Sequence, residues 1–199
     1  MNHPDPVQPA FLKPQLFPES QFSSNPQPPA RTLWLTGLPC SGKTTTALAL
    51  AEAMMERRMP VEVLDGDELR RQIGGGLGFS REERMENVRR AVYVAGLLNK
   101  HGVTALVSMI SPYARMRDYA RSMLPGFAEI YVECPLEECE RRDVKGLYAR
   151  ARRGEIAAFT GVSDLYEPPL SPRLTIRTDT ASLEANVNRL IHVFAPSAQ

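Results

Sequence analysis

Between a short apolar run, Thr32-Leu33-Trp34-Leu35-Thr36, and a helical pattern that begins at Thr44 lies Gly37-Leu38-Pro39-Cys40-Ser41-Gly42-Lys43-Thr44, a match to G-x-x-x-x-G-K-[ST]. Nothing else in the chain restricts the fold so strongly, because this motif works only where a strand passes into a helix through a glycine-rich turn. The glycines let the backbone curl around a phosphate with its N–H groups inward, and the positive end of the following helix adds to the attraction. Lys43 then brings a full charge to the β- and γ-phosphates, and the Thr44 hydroxyl is a ligand for Mg²⁺. Gly37, Leu38, Pro39, Cys40, Ser41, Gly42, Lys43, Thr44 and Thr45 are therefore the expected contacts to ATP. Cys40 reads as a tolerated small residue of the loop rather than a redox switch.

Downstream, strands and helices alternate. Leu48, Ala51, Met54 and Met55 carry the helix from Thr44 to Arg58, and Val61–Asp65 is a second strand. Ser80-Arg81-Glu82-Glu83 has capping-box spacing and opens a helix to about Lys100, with Met85, Val88, Val92 and Ala95 on one face. Val103–Met109, Ala128–Glu133 and Leu174–Ile176 are further strands, and Ser182–Phe194 is a last amphipathic helix. The pattern predicts an α/β three-layer P-loop NTPase fold: a mostly parallel five-stranded sheet with helices on both faces. Ligands of such sheets sit beyond the carboxyl ends of the strands. Arg141, Arg142, Lys145, Arg150, Arg152 and Arg153 form a basic run over a predicted helix, a candidate lid over ATP phosphates; a solvated helix face or an RNA-binding patch is the alternative.

Residues 1–30 stand apart, with prolines at 4, 6, 9, 14, 18, 26, 28 and 29 among Gln, Ser and Asn. They predict an extended arm, with residues 31–199 as one kinase domain. Phe11, Leu12, Leu16, Phe17 and Phe22 give the arm a second reading, as a segment that docks on a partner subunit.

Composition narrows the partners. In 199 residues, 24 Lys and Arg face 23 Asp and Glu, so no bulk field favours nucleic acid or anionic lipid. No run reaches the length of a membrane span, and the first residues lack the basic start and apolar core of a secretion signal. Cys40, Cys134 and Cys139 are odd in number and not spaced as a zinc or redox pair, which suits a reducing cytoplasm. His3, His101 and His192 are too scattered for a metal site.

A guanine-binding Asn-Lys-x-Asp is missing, and no D-x-x-G switch follows the second strand, where Glu68 stands in place of the glycine after Asp65. A small-molecule kinase is then the expectation. Asp65 and Asp67 flank Gly66 at the end of the second strand, one suited to a Mg²⁺ ligand shell and one to the attacking hydroxyl. Arg70, Arg84, Arg89 and Arg90 accompany Asn87, with Arg84 and Asn87 on one helical face, as an anionic acceptor would require.

These residues belong to a wider pattern. Leu64-Asp65-Gly66-Asp67 with Arg70; Leu77-Gly78-Phe79-Ser80 through Arg84, Glu86-Asn87 and Arg89-Arg90; Ile110-Ser111-Pro112-Tyr113; Cys134-Pro135-Leu136-Glu137; Arg142 through Tyr148; Phe159-Thr160-Gly161; and Tyr166-Glu167-Pro168-Pro169 follow one another in an order and spacing that resembles adenylylsulfate kinases (APS kinases) from about Arg31 to the last helix. The resemblance implies transfer of the γ-phosphate of MgATP to the 3′-hydroxyl of adenosine 5′-phosphosulfate, giving 3′-phosphoadenylylsulfate and ADP. It implies that Phe79 and Phe159 sandwich the acceptor adenine, and that Arg70, Arg84 and Asn87 hold its phosphosulfate. Ile110, Ser111, Lys145, Gly146 and Leu147 match further acceptor contacts, and Arg141 a nucleotide contact. Lys43, Asp65, Asp67 and Ser111 match catalytic positions, Asp67 facing the 3′-hydroxyl with Asp65 in support. Ser111 matches a serine described as a phosphorylated intermediate; direct in-line transfer with Ser111 as a positioning group is preferred here, because no base adjoins it. The resemblance also implies a homodimer and a separate ATP sulfurylase as pathway partner.

Pro39-Cys40, Gly74-Gly75-Gly76, Ala114, Met116 and Leu165 depart from the family pattern. Two rival readings stay open on the residues: a related kinase with a different acceptor, and a nucleotide-binding regulator without catalysis. Intact Lys43, Thr44, Asp65 and Asp67 speak against the second.

Overall fold

The computed structural model describes residues 31–195, so the reading of residues 1–30 as an arm lies outside the described residues. Five strands, β1 (Thr32–Thr36), β2 (Val61–Asp65), β3 (Thr104–Ser108), β4 (Phe127–Glu133) and β5 (Leu174–Arg177), form one sheet in the order β2-β3-β1-β4-β5. All four pairings are parallel, so the expected mostly parallel sheet is wholly parallel. Parallel strands need crossovers, and the helices that make them cover both faces.

One face carries α1 (Lys43–Glu56) and α7 (Leu183–Phe194). Leu33, Leu35, Leu106, Ile130 and Ile176 from the sheet meet Leu50, Met54, Leu190 and Phe194 there. The other face carries α3 (Arg81–Lys100) and α4 (Ala114–Met123), where Trp34, Ala105 and Val107 meet Val88, Ala91, Val92, Met116 and Ala120. The expected three layers are present. Strand residues that alternate between these two clusters explain why β1 and β3 are buried throughout and apolar at their centres, with no exposed face to make polar.

Three shorter helices complete the described residues: α2 (Gly66–Gln72), α5 (Leu136–Arg142) and α6 (Leu147–Arg152). The single helix expected over the basic run is thus two helices with a turn between them. Asp143 makes the break, its carboxylate accepting from the backbone N–H groups of Tyr148 and Ala149, both at 3.0 Å, while Gly146 takes φ +63. The capping box forms as read: Ser80 Oγ accepts from Glu83 N, and Glu83 accepts from Ser80 N at 2.9 Å.

Candidate active site

Because the sheet is parallel, all five strands end on one edge, and that edge holds the site. The loop after β1 is shaped by contacts that allow no side chain at Gly37: a Cβ there would lie 2.4 Å from the Val132 carbonyl oxygen. Gly42 caps α1 with φ +92, the left-handed region that glycine enters without strain. Lys43 is buried, and its Nζ donates to the carbonyls of Gly37 at 3.0 Å and Leu38 at 2.6 Å. Burial lowers its pKa from 10.5 to about 8, against the opposing pull of the Cys139 and Cys40 thiols and the Asp67 and Asp65 carboxylates.

Asp65 ends β2, the next strand but one, and Asp67 follows it in α2. Cross-strand register pairs Asp65 with Ser108. Thr44 Oγ1 donates to Asp65 Oδ2 at 2.8 Å and lies 3.0 Å from Ser108 Oγ. The other Asp65 oxygen accepts from the backbone of Asp67 at 2.9 Å and Glu68 at 3.1 Å, capping α2. Asp67 then projects from the first turn of α2, where Oδ2 meets Lys145 Nζ at 2.7 Å across an exposed pair. Hydrogen bonding to Asp67 raises the Lys145 pKa.

Three residues brace the phosphate loop from outside. Arg142 donates to the Cys40 carbonyl at 3.5 Å and to Thr178 Oγ1 at 3.0 Å. Thr178 Oγ1 donates onward to the Ser41 carbonyl at 2.8 Å, and Tyr148 Oη to the Pro39 carbonyl at 3.0 Å. Arg141, the expected nucleotide contact, is exposed and donates to Glu138 at 2.7 and 2.8 Å. The whole basic run is paired: Arg150 and Arg153 with Glu155, and Arg152 with Glu140.

The residues expected to take the acceptor lie where α2, α3 and the 158–164 loop meet. Phe79 is 58% exposed, high for an aromatic ring, with the Arg70 guanidinium 4.7 Å and the Arg84 guanidinium 5.7 Å from its centroid. Arg70 also donates to the Gly78 carbonyl. Arg84 is buried and donates to the Phe79 carbonyl at 2.7 Å, the Ala158 carbonyl at 2.6 Å and Thr160 Oγ1 at 3.0 Å. It thereby ties the segments of Phe79 and Phe159 to each other. Phe159 packs edge-on against Tyr148, with centroids 5.0 Å apart. Asn87 is buried, its amide donating to the Gly66 carbonyl at 3.3 Å while its Oδ1 has no protein partner. Beyond β3, Ser111 Oγ accepts from Trp34 Nε1 at 3.0 Å, and the Ile110 carbonyl accepts from Thr36 Oγ1 at 2.7 Å. Gly146 and Leu147 open α6 beside Lys145.

A sequence model of the family Adenylylsulphate kinase matches residues 29–177. The chain belongs to the adenylylsulphate kinase family. The adenylyl-sulfate kinase of Gloeothece citriformis is 52% identical over 161 residues, which cover 81% of this chain and 92% of that one. The Mycobacterium tuberculosis APS kinase CysC, in complex with AMPPNP and APS, superposes with a TM-score of 0.80 at 41% identity, covering 84% of this chain and 98% of that chain. The hexameric APS kinase from Thiobacillus denitrificans matches with a TM-score of 0.62 at 32% identity over 83% of this chain and 29% of that chain.

In this adenylylsulphate kinase, Lys43, Thr44, Asp65 and Asp67 gather at one edge, with Arg70, Phe79, Arg84 and Asn87 on adjoining elements. Arg84 and Asn87 carry more structural duty than the sequence reading gave them. Tyr148 and Thr178, which brace the loop, were not read as site residues. Both act through contacts more than 100 residues apart, and neither lies in a local pattern that announces such a role. Glu83, read only as a helix cap, also accepts from Gly78 N at 2.8 Å and so shapes the turn before Phe79.

Proposed function

We propose that this adenylyl-sulfate kinase moves the γ-phosphate of ATP to the 3′-hydroxyl of adenosine 5′-phosphosulfate through the residues named above. One observation carries the residue assignment: the Thr44–Asp65 hydrogen bond at 2.8 Å joins the phosphate loop to the elbow bearing Asp67. That bond supports a reading in which the donor and acceptor ends of the transfer adjoin. The phosphate-loop N–H groups and Lys43 hold the transferring phosphate, and charge neutralisation is most of what such a transfer needs. Asp67 orients the attacking hydroxyl and takes up its proton at a carboxylate oxygen, after Lys145 has left it for the acceptor. Phe79 and Phe159 take the adenine, and Arg70, Arg84 and Asn87 the phosphosulfate.

The donors at Thr44 and Asp65 are a hydroxyl and a carboxylate oxygen, the hard ligands that Mg²⁺ accepts alongside nucleotide oxygens and water. When bound, the ion would neutralise charge on the β- and γ-phosphates. Ser111 is read as a positioning group, not a phosphorylated intermediate. The partner of its hydroxyl is an indole N–H, which cannot accept a proton.

The reading extends to a homodimer in the cytoplasm, fed by a separate ATP sulfurylase. Among the described residues no helix is long and apolar enough to cross a membrane, which is compatible with that compartment. A coupled ADP-release assay with adenosine 5′-phosphosulfate, gluconate, shikimate and nucleoside monophosphates tests the substrate. Turnover on the phosphosulfate at least a hundredfold above the others is expected; equal turnover on any competitor refutes it. Light scattering on the eluting protein tests the dimer.

A further inference from the structure

After β3 the chain turns through Met109–Pro112, and Ser111 makes that turn at φ +43. A residue with a Cβ enters the left-handed region only at a cost, so something must hold Ser111 there. Two buried groups do. Trp34 Nε1 donates to its hydroxyl at 3.0 Å, and Arg117 Nη1 donates to its carbonyl at 2.7 Å.

Arg117 sits on α4 with only 2% of its surface exposed. Its Nε donates to Glu129 Oε1 on β4 at 2.6 Å, and its Nη2 to the Glu167 carbonyl at 2.7 Å. Glu167 in turn donates from its backbone N–H to the Pro112 carbonyl at 2.8 Å, and its carboxylate accepts from Ala114 N at 2.6 Å. One guanidinium thus joins three segments that are remote in sequence. A buried ion pair is a poor way to gain stability, since desolvation offsets most of its attraction. Its value lies in geometry, and the planar fork that bonds all three segments is something a lysine lacks.

We infer that Arg117 and Trp34 are positioning residues for the acceptor, holding Ile110–Ser111 in the left-handed turn and fixing the direction of the Ser111 hydroxyl. Because that hydroxyl accepts from the indole, its own proton is left to donate, which suits an anionic acceptor. The inference rests on the acceptor reading of Ile110 and Ser111 given above.

Arg117→Lys and Trp34→Phe test it by steady-state kinetics. Arg117→Lys keeps a cation beside Glu129 but loses the fork; Trp34→Phe keeps an aromatic ring but loses the donor. Each should raise KM for adenosine 5′-phosphosulfate about tenfold, the equivalent of one lost hydrogen bond to a charged group, with KM for ATP within about twofold of the parent. Trp34 is the chain's single tryptophan, so its emission reports on the turn. Titration of the ADP-loaded protein with adenosine 5′-phosphosulfate should change that emission, with a midpoint about tenfold higher in Arg117→Lys. The inference is overturned if both variants keep the acceptor KM within about twofold, or if KM for ATP rises equally, which marks general loosening. If Arg117→Lys does not fold, Trp34→Phe decides by the same split. Failure of the parent protein to use adenosine 5′-phosphosulfate removes the acceptor reading and this inference with it, whereas normal parent turnover with unaffected variants removes this inference alone.

Discussion

Lys43 is a buried cation whose pKa falls from 10.5 to about 8 through loss of hydration, and that shift has a measurable effect on stability. Between these two values the unfolded chain keeps the proton and the folded chain has released it. Stability rises with pH wherever the unfolded state holds more protons, so this lysine contributes a rising limb above pH 8. At about 1.4 kcal/mol per unit, its full cost below pH 8 is about 3 kcal/mol, and about 2 kcal/mol of that is recovered between about pH 7.5 and 9.5. Lys43→Met has no such group. Urea unfolding of the nucleotide-free protein should therefore show the parent gaining about 2 kcal/mol on Lys43→Met over that interval. Other titrating groups are common to both proteins and cancel. Nucleotide binding should show the opposite trend, because phosphate favours the ammonium form: calorimetric affinity for ATP should fall as pH rises past 8 in the parent and stay flatter in Lys43→Met. Parallel stability profiles in the two proteins would refute the reasoning. The loss of turnover in Lys43→Met, by about a hundredfold or more, would then have no counterpart in a buried charge.

Asp67→Asn should lower kcat about a hundredfold or more in the ADP-release assay, while its melting temperature stays near the parent's because the pair with Lys145 is exposed. Near-native kcat would remove Asp67 from its role. Phe79→Ala should raise the acceptor KM by about tenfold or more through loss of one stacking face, with stability within about 0.5 kcal/mol of the parent; an unchanged acceptor KM contradicts stacking. Arg84→Ala should cost about 3 kcal/mol in denaturant unfolding, since it strips hydrogen bonds from Phe79, Ala158 and Thr160, besides weakening acceptor binding. A fully stable Arg84→Ala would show that the two phenylalanine segments do not depend on that staple.

Much of this architecture could be read from residue order alone, for reasons that differ by element. The strand–loop–helix unit at Gly37–Thr44 was legible because a short motif, a strand and a helix must coincide for it to work. The capping box at Ser80 and the apolar strands were legible because local rules govern them. α2 was not, because seven residues bearing Asp67, Glu68, Arg70 and Arg71 show no apolar stripe. α4 was hidden by Arg115, Arg117, Asp118 and Arg121, whose density masks Met116 and Ala120 on its buried face. Lys43, Thr44, Asp65 and Asp67, which the fold brings to one edge of the sheet, stood out in sequence because phosphate chemistry demands particular side chains. The braces were not: Tyr148, Thr178 and Arg117 act through distant backbone carbonyls, and the sequence near a carbonyl carries no sign of its partner.

The pairing of every cation between Arg141 and Arg153 has a consequence for how ATP reaches its loop. A run of six positive charges suggests long-range attraction, yet Glu138, Glu140, Glu155 and Asp67 cancel much of it on the spot. The flank therefore casts little field into solvent, and the pull on a polyphosphate is concentrated in the last few ångströms, among backbone amides and one sheltered ammonium. Capture by such a mouth depends on fit at close range, and salt in the medium should change it little.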